Sequence, residues 1–279
     1  MIEIFHVSDL HFGKSREQNR KAKSLLKKIN QRFPFTEKGY RYLLVTGDIT
    51  DGGDTDQYKL AKDALRPFKG RILLTPGNHD YGGFWGMDYS EKSAKYFDDP
   101  FAKSLKFTHP FFGKKVFRRQ LRDGSDGSPF LIIGLNSCSK EGLFDGAQGE
   151  VGEQQREQLG GILEKYDQRI PKLLFLHHVP NKKVNFPPLR TLRDWPQLMK
   201  IVKDRIDVLA FGHDGFRLKV ESEKKFSLVA AEKRPMKSRR LALGKKKARL
   251  LDADSSVQES ACYRIWLKDG QPNAKVERL

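Results

Sequence analysis

Aspartate, histidine and asparagine recur in this chain in five short clusters. They are Asp9-Leu10-His11, Gly47-Asp48-Ile49-Thr50-Asp51, Gly77-Asn78-His79-Asp80, His177-His178 and Gly212-His213. Carboxylate, imidazole and amide-oxygen donors are hard-to-borderline ligands suited to manganese, iron or zinc, and no thiolate is interleaved with them. Two such ions held close together need one shared carboxylate and further ligands on either side. Asp48 is the natural bridge; Asp9 and His11 would complete one half, and Asn78, His177 and His213 the other. Gly47, Gly77 and Gly212 allow the backbone to turn sharply enough to bring each ligand inward. Any one cluster alone is ordinary turn chemistry. Five in order are not.

The elements that must position these residues are legible as short apolar runs. Strands are expected at 2–8, 42–46, 72–75, 130–136, 173–177 and 208–212, and the clusters follow five of them. The C-terminal ends of strands are where open α/β sheets gather ligand-binding loops. Between the strands, apolar residues recur at helical spacing: Ala22, Leu25, Leu26, Ile29 and Phe33, then Tyr58, Ala61, Leu65 and Phe68. Further helices are expected at 153–166 and 196–204. Beyond these the pattern changes to strands alone, at 216–220, 226–230, 263–267 and 275–279. Parallel βαβ units followed by a meander predict an α/β fold of two packed sheets with helices outside.

These motifs resemble those of the calcineurin-like metallophosphoesterase superfamily: Asp-x-His, Gly-Asp, Gly-Asn-His-Asp/Glu, a lone His, then Gly-His-x-His. The resemblance runs from Asp9 to His213 and implies a single domain over 1–279, a four-layer α/β/β/α sandwich of two mixed sheets. It implies two divalent or trivalent metal ions (manganese, iron or zinc) on Asp9, His11, Asp48, Asn78, His177 and His213. It also implies a hydrolase of phosphodiesters or phosphomonoesters, in which a hydroxide held between the ions attacks phosphorus in line. His79 would be the general acid, with Asp51 placed to orient its ring. His177, which follows its strand directly, is taken as the ligand, while His178 either lines the pocket as a substrate contact or simply packs. One departure stands out: the chain reads Gly212-His213-Asp214-Gly215 where the family ends in a second His. Gly215 has no side chain to offer, so the Asp9/His11 half is one ligand short unless Asp214 substitutes. The protein serine/threonine phosphatase branch is disfavoured, because Gly52 and Asp80 stand where it carries Arg and Glu.

The rest of the chain limits partners and place. Lys and Arg number 53 against 35 Asp and Glu, a formal charge of +18. Such a surface draws phosphate-bearing partners inward, and the substrate expected is a phosphate ester, with a nucleotide as one candidate. Residues 233–249 hold nine basic residues and no acid; they are read as a basic insertion, either solvated or an arm for nucleic acid or an anionic membrane. The aromatic stretch 81–112 and the segment 181–195 are candidate caps over the site, the first alternatively a hydrophobic cluster under a long loop. Lys182 and Arg190 are candidate phosphate contacts. No apolar run approaches a membrane span. The N-terminus lacks signal-peptide architecture, and Cys138 and Cys262 sit in apolar runs; a cytoplasmic location is expected. Three classes stay open: a small-ester hydrolase, a nuclease, and a metal-binding scaffold without catalysis.

Overall fold

A computed structural model of the chain describes residues 1–34, 40–82, 89–109, 111–124, 126–138, 147–178, 191–213, 239–243, 246–252, 256–268 and 270–279. The first sheet has the order β11-β10-β1-β2-β3. Its strands are β1 (Ile2–Val7), β2 (Tyr40–Thr46), β3 (Arg71–Thr75), β10 (Ala261–Lys268) and β11 (Gln271–Arg278). Strands β1, β2 and β3 run parallel, and β10 and β11 join antiparallel. The second sheet has the order β4-β5-β6-β7-β9-β8. It comprises β4 (Phe117–Arg122), β5 (Pro129–Gly134), β6 (Lys172–Phe175), β7 (Val208–Phe211), β8 (Arg239–Leu243) and β9 (Lys246–Asp252). Here β5, β6, β7 and β9 are parallel, with β4 and β8 antiparallel at the two edges.

Side-chain alternation explains the layering. Phe130, Ile132, Leu173, Phe175, Val208 and Ala210 share one apolar cluster with the strands of the first sheet. Their neighbours Leu131, Ile133, Leu174, Leu209 and Phe211 point the other way, as a period of two requires. That second face is covered by α5 (Glu153–Lys165) and α6 (Trp195–Val202) through Leu159, Ile162, Leu163 and Leu198. The first sheet is lined by α1 (Arg16–Arg32) and α2 (Thr55–Leu65). Helix α1 starts at Ser15, whose hydroxyl accepts the Gln18 N–H at 3.0 Å, and it buries Ala22, Leu25, Leu26 and Ile29. The result is two mixed sheets flanked by helices, as expected. Short helices α3 (Asn78–Tyr81), α4 (Glu91–Tyr96) and α7 (Ser256–Glu259) complete the order.

Two features differ from the sequence reading, and the aromatic stretch falls to one of its two alternatives. The aromatic stretch 81–112 is largely interior: Tyr81, Phe97, Phe101, Phe107 and Phe111 are buried in the main cluster, with the Phe101 ring 4.8 Å from that of Tyr58. Its described rings therefore form core, while Phe84 and Trp85 lie outside the described residues. Part of 233–249 is not irregular, since β8 and β9 form an antiparallel pair that extends the second sheet beside β7. Strand β4 was not anticipated, because Phe-Arg-Arg-Gln-Leu-Arg offers only two apolar side chains. An edge strand needs no more. The expected strands at 216–220 and 226–230 lie outside the described residues, as do Asp214, Gly215, Lys182 and Arg190.

A buried carboxylate ties the second sheet's loops together. Asp194 accepts the N–H groups of Val151 at 3.0 Å and Gly152 at 2.9 Å, and it pairs with Arg156. Leu192 and Trp195 beside it are buried and pack into the second sheet's outer core. Removing the carboxylate strands one buried and one partly buried donor, and a cation. Asp194→Ala is expected to lower unfolding free energy by about 3 kcal/mol, read by denaturant titration; a change within error would show the clamp to be dispensable.

Candidate metal centre

The clusters follow β1, β2, β3, β6 and β7, so both sheets deliver them to the same edge of the sandwich. The first two loops continue the parallel pairing of their strands. Asp9 N–H donates to the Gly47 carbonyl at 3.1 Å, His11 to Asp48 at 2.9 Å and Phe12 to Ile49 at 2.9 Å. Asp9, His11, Asp48 and His213 all have positive φ, at 56°, 45°, 48° and 75°. Each left-handed non-glycine residue costs about 1–3 kcal/mol, a cost that the surrounding loops sustain at the site. Asp and His are among the side chains that tolerate the conformation.

Asp48 stands at the centre. Its Oδ1 is 3.3 Å from His177 Nε2 and its Oδ2 is 3.8 Å from His11 Nε2. Asp9 Oδ1 lies 3.9 Å from the same His11 nitrogen. On the other side, His177 Nε2 is 2.9 Å from His213 Nδ1. Three triads of potential ligand atoms lie within 4.8 Å of one another among the described residues; Asp9/His11/Asp48 and Asp48/His177/His213 share Asp48, and His11/Asp51/His79 adjoins them through His11. Asn78 is buried at the start of α3, between Gly77 and His79, whose backbones both approach Asp48.

The groups behind the ligands aim them. Asp51 Oδ1 is 3.0 Å from His11 Nδ1, and the Thr46 carbonyl accepts from His177 Nδ1 at 2.7 Å. Each ring is thereby held with Nε2 facing Asp48, the arrangement that carboxylate or carbonyl partners impose on metal-binding histidines. Several acceptors converge on two small volumes, and the donor set suits divalent cations. The chain's residues fit a dinuclear centre.

One expectation needs correcting. The Asp51 carboxylate engages His11, not His79; it is the main-chain oxygen of Asp51 that accepts from His79 Nδ1, at 2.7 Å. The loop places the carbonyl toward one ring and the side chain toward the other, which spacing alone does not reveal. Of the two readings of His178, the geometry favours packing. It is fully buried, with Nδ1 2.8 Å from Ser137 Oγ and its ring centroid 4.3 Å from that of His213. It supports His213 from within and presents no surface to a substrate.

Two supporting residues escaped the sequence reading. Ser137, just beyond β5, accepts N–H groups from His177 at 3.3 Å and His178 at 3.1 Å. Its single proton is then left for His178 Nδ1. An uncharged side chain outside the clusters gave no signal. Asp80 was visible in the motif, but its task was not. It accepts from Ile49, Thr50 and Gly77 N–H groups at 3.2, 2.8 and 2.9 Å, pinning the loop after β2 to the loop after β3. Glycines permit the closeness: a Cβ on Gly77 would lie 2.1 Å from Asp48 Oδ1.

Electrostatics follow from this crowding. Burial opposes charge on His177, but the Asp48 carboxylate and the Thr46 carbonyl outweigh it and push the ring up to about 9. Burial likewise opposes charge on Asp48, which His177 and His79 nevertheless hold well below the ordinary carboxylate range. Burial, aided by the neighbouring Asp48, pushes Asp80 up to about 6. His178 is driven well below its usual value by burial and then by His213 and His177.

Comparison with known proteins agrees with this geometry. The model of the calcineurin-like phosphoesterase family matches residues 2–215. The chain belongs to that family. Its members are metal-dependent, and the candidate ligand groups sit where the family motifs fall. A protein of Arcobacter nitrofigilis named as a probable glycerophosphodiester phosphodiesterase, GpdQ, is 28% identical over 50% of this chain and 42% of its own length. A protein of Fibrobacter succinogenes named as a probable cyclic nucleotide phosphodiesterase is 22% identical over 64% of this chain and 58% of its own. The chain thus spans about half the length of these curated relatives. Among solved structures, GAP50, the anchor in the inner membrane complex of Plasmodium, superposes with a TM-score of 0.60 at 10% identity, covering 99% of this chain and 84% of that one. That likeness concerns the fold alone. No helix among the described residues is long and apolar enough to cross a membrane.

Two outcomes are expected. In chelator, the protonated His177 contributes stability that is fully present below about pH 6.5 and lost as pH rises through about 9. Asp80, raised toward 6, acts in the same direction at lower pH. Denaturation midpoints of the metal-free protein should therefore fall from pH 6 to 9, and a midpoint that climbs over this window would remove the proposed proton. Asp51→Ala should weaken metal binding roughly 10- to 100-fold, measured by competition with a chelating dye; unaltered affinity would show that its contact with His11 is incidental.

Proposed function

We propose that this chain is a metal-dependent phosphoesterase that hydrolyses phosphodiester or phosphomonoester bonds. The observation that carries the reading is the Asp48 carboxylate, which turns one oxygen to each half of the cluster. Asp9 and His11 would hold one ion, and Asn78, His177 and His213 the other, with manganese, iron and zinc all compatible with the donors. When bound, such ions supply Lewis acidity, acidifying water toward neutrality and offsetting charge that develops on phosphoryl oxygens.

The chain's own residues supply the remainder. The His79 ring is anchored through Nδ1–H by the Asp51 carbonyl, because a carbonyl can only accept. The ring's other nitrogen is left for the substrate. In its cationic form it can give a proton to the departing oxygen, the role of a general acid. The His79 main-chain N–H donates to Asp48 Oδ1 at 3.1 Å, which ties the loop carrying the acid to the carboxylate. The names of the two relatives support a diester as the bond attacked. Phosphomonoesters and pyrophosphates remain the comparison substrates in a panel.

Metal-loaded protein should cleave bis(nitrophenyl) phosphate, and metal analysis should find two ions per chain. Asp48→Ala should lose both ions and all turnover; a variant retaining two ions would refute the bridge. His79→Ala should lower turnover of alkyl esters by roughly 10²–10⁴-fold while sparing nitrophenolate esters. Equal losses on both would remove its role as acid.

A further inference from the structure

We propose that the exposed face of α1 is a docking ridge for the phosphate backbone of a nucleic-acid strand, held in register with the metal cluster. Naming the cluster as the place where a docked strand is cut rests on the phosphoesterase reading; the docking itself does not.

Arg16, Arg20, Lys23 and Lys27 are all exposed. At about 100° per residue they fall within about 60° of one another, on a line roughly 16 Å long. The opposite side of the helix, Ala22, Leu25, Leu26 and Ile29, is buried in the core. Arg32 lies on one flank of the helix, and the single acid of the helix, Glu17, is paired with Lys21 at 2.7 Å, so neither offsets the ridge. None of the four ridge cations lies within ion-pair distance of an acid among the described residues.

Stability does not account for this arrangement. Like charges three and four residues apart on a helix repel. Cations near a helix N-terminus oppose the macrodipole, yet Arg16 occupies the first turn of α1. The ridge thus works against the helix that carries it, which points to an outside anion.

The ridge is also fixed to the site. Helix α1 begins directly after the loop bearing Asp9 and His11. Gln18 Nε2 donates to the Leu10 carbonyl at 3.0 Å, and the Gly13 N–H donates to Asn19 Oδ1 at 2.8 Å. Lys14, in the turn between them, acts electrostatically on Asp51. An extended polyanion on the ridge would therefore pass Lys14 on its way to the loop bearing Asp9 and His11. An anionic membrane fits less well, because a helix lying on a bilayer inserts an apolar face, and the apolar face of α1 is consumed inside the fold.

The test is anisotropy of labelled single-stranded DNA and RNA with the full chain across a salt series. Wild type should bind, with affinity falling steeply as salt rises. Replacing Arg16, Arg20, Lys23 and Lys27 by Gln should reduce the slope of log affinity against log salt by about 3. Replacing Lys23 and Lys27 alone should give about half that reduction. A control losing Lys165, Lys200, Lys203 and Lys268 should keep the wild-type slope. Equal reductions in ridge and control variants, absence of oligonucleotide binding at low salt, or preference for phosphatidylserine vesicles over oligonucleotides would each overturn the ridge. Cleavage of bis(nitrophenyl) phosphate with manganese, assayed in parallel, should be unchanged in the ridge variant. If wild type lacks that cleavage, the phosphoesterase reading fails while the binding data still judge the ridge.

Discussion

The carboxylate of Asp48 is buried within reach of two imidazoles on opposite sides, His11 and His177. A lone ionised carboxylate in the interior is strongly disfavoured unless it is paired and hydrogen-bonded. Here the His79 N–H supplies one hydrogen bond and the two rings, both shifted toward their charged form, supply positive charge. Much else in the structure answers to this demand. The loops after β1, β3, β6 and β7 all bend toward the loop after β2, because each carries a group that Asp48 requires.

Holding those loops together has a conformational cost. Asp9, His11, Asp48 and His213 keep left-handed backbones, and Gly77 and Gly212 sit where a Cβ would collide with Asp48 or with Ser8 and Asp9. The strain persists because rigid elements impose it. Two sheets packed face to face, with helices buried against their outer surfaces, leave the strand ends no freedom to separate. Asp80 and Ser137 then complete the restraint with hydrogen bonds between neighbouring loops.

The same crowding organises protons. His177 is held charged by Asp48, whereas His178, one residue along, is held neutral by burial and by its charged neighbours. Adjacent residues of one type thus acquire opposite character from position alone. A cation entering the cluster replaces a proton, so metal binding and titration are one linked process.

Much of this was legible from residue order. Short continuous apolar runs and helical spacings located β1, β2, β3, β5, β6 and β7 and the helices between them, because strands covered on both faces must be apolar throughout. The ligand candidates stood out because acids, imidazoles and glycines cluster at strand ends only under some special requirement. The sequence could not assign partners within the cluster. Whether Asp51 meets His11 or His79 depends on a loop that presents its carbonyl and carboxylate to different rings. Whether the rings of 81–112 cover the site or fill the core depends on which surface α2 leaves open. Strand β4, with its arginines, is a strand only because β5 offers it an edge. Sequence by itself determined the chemistry, since donor types are properties of residues; tertiary structure alone decided the pairings, since contacts between loops far apart in the chain arise only when both sheets are assembled.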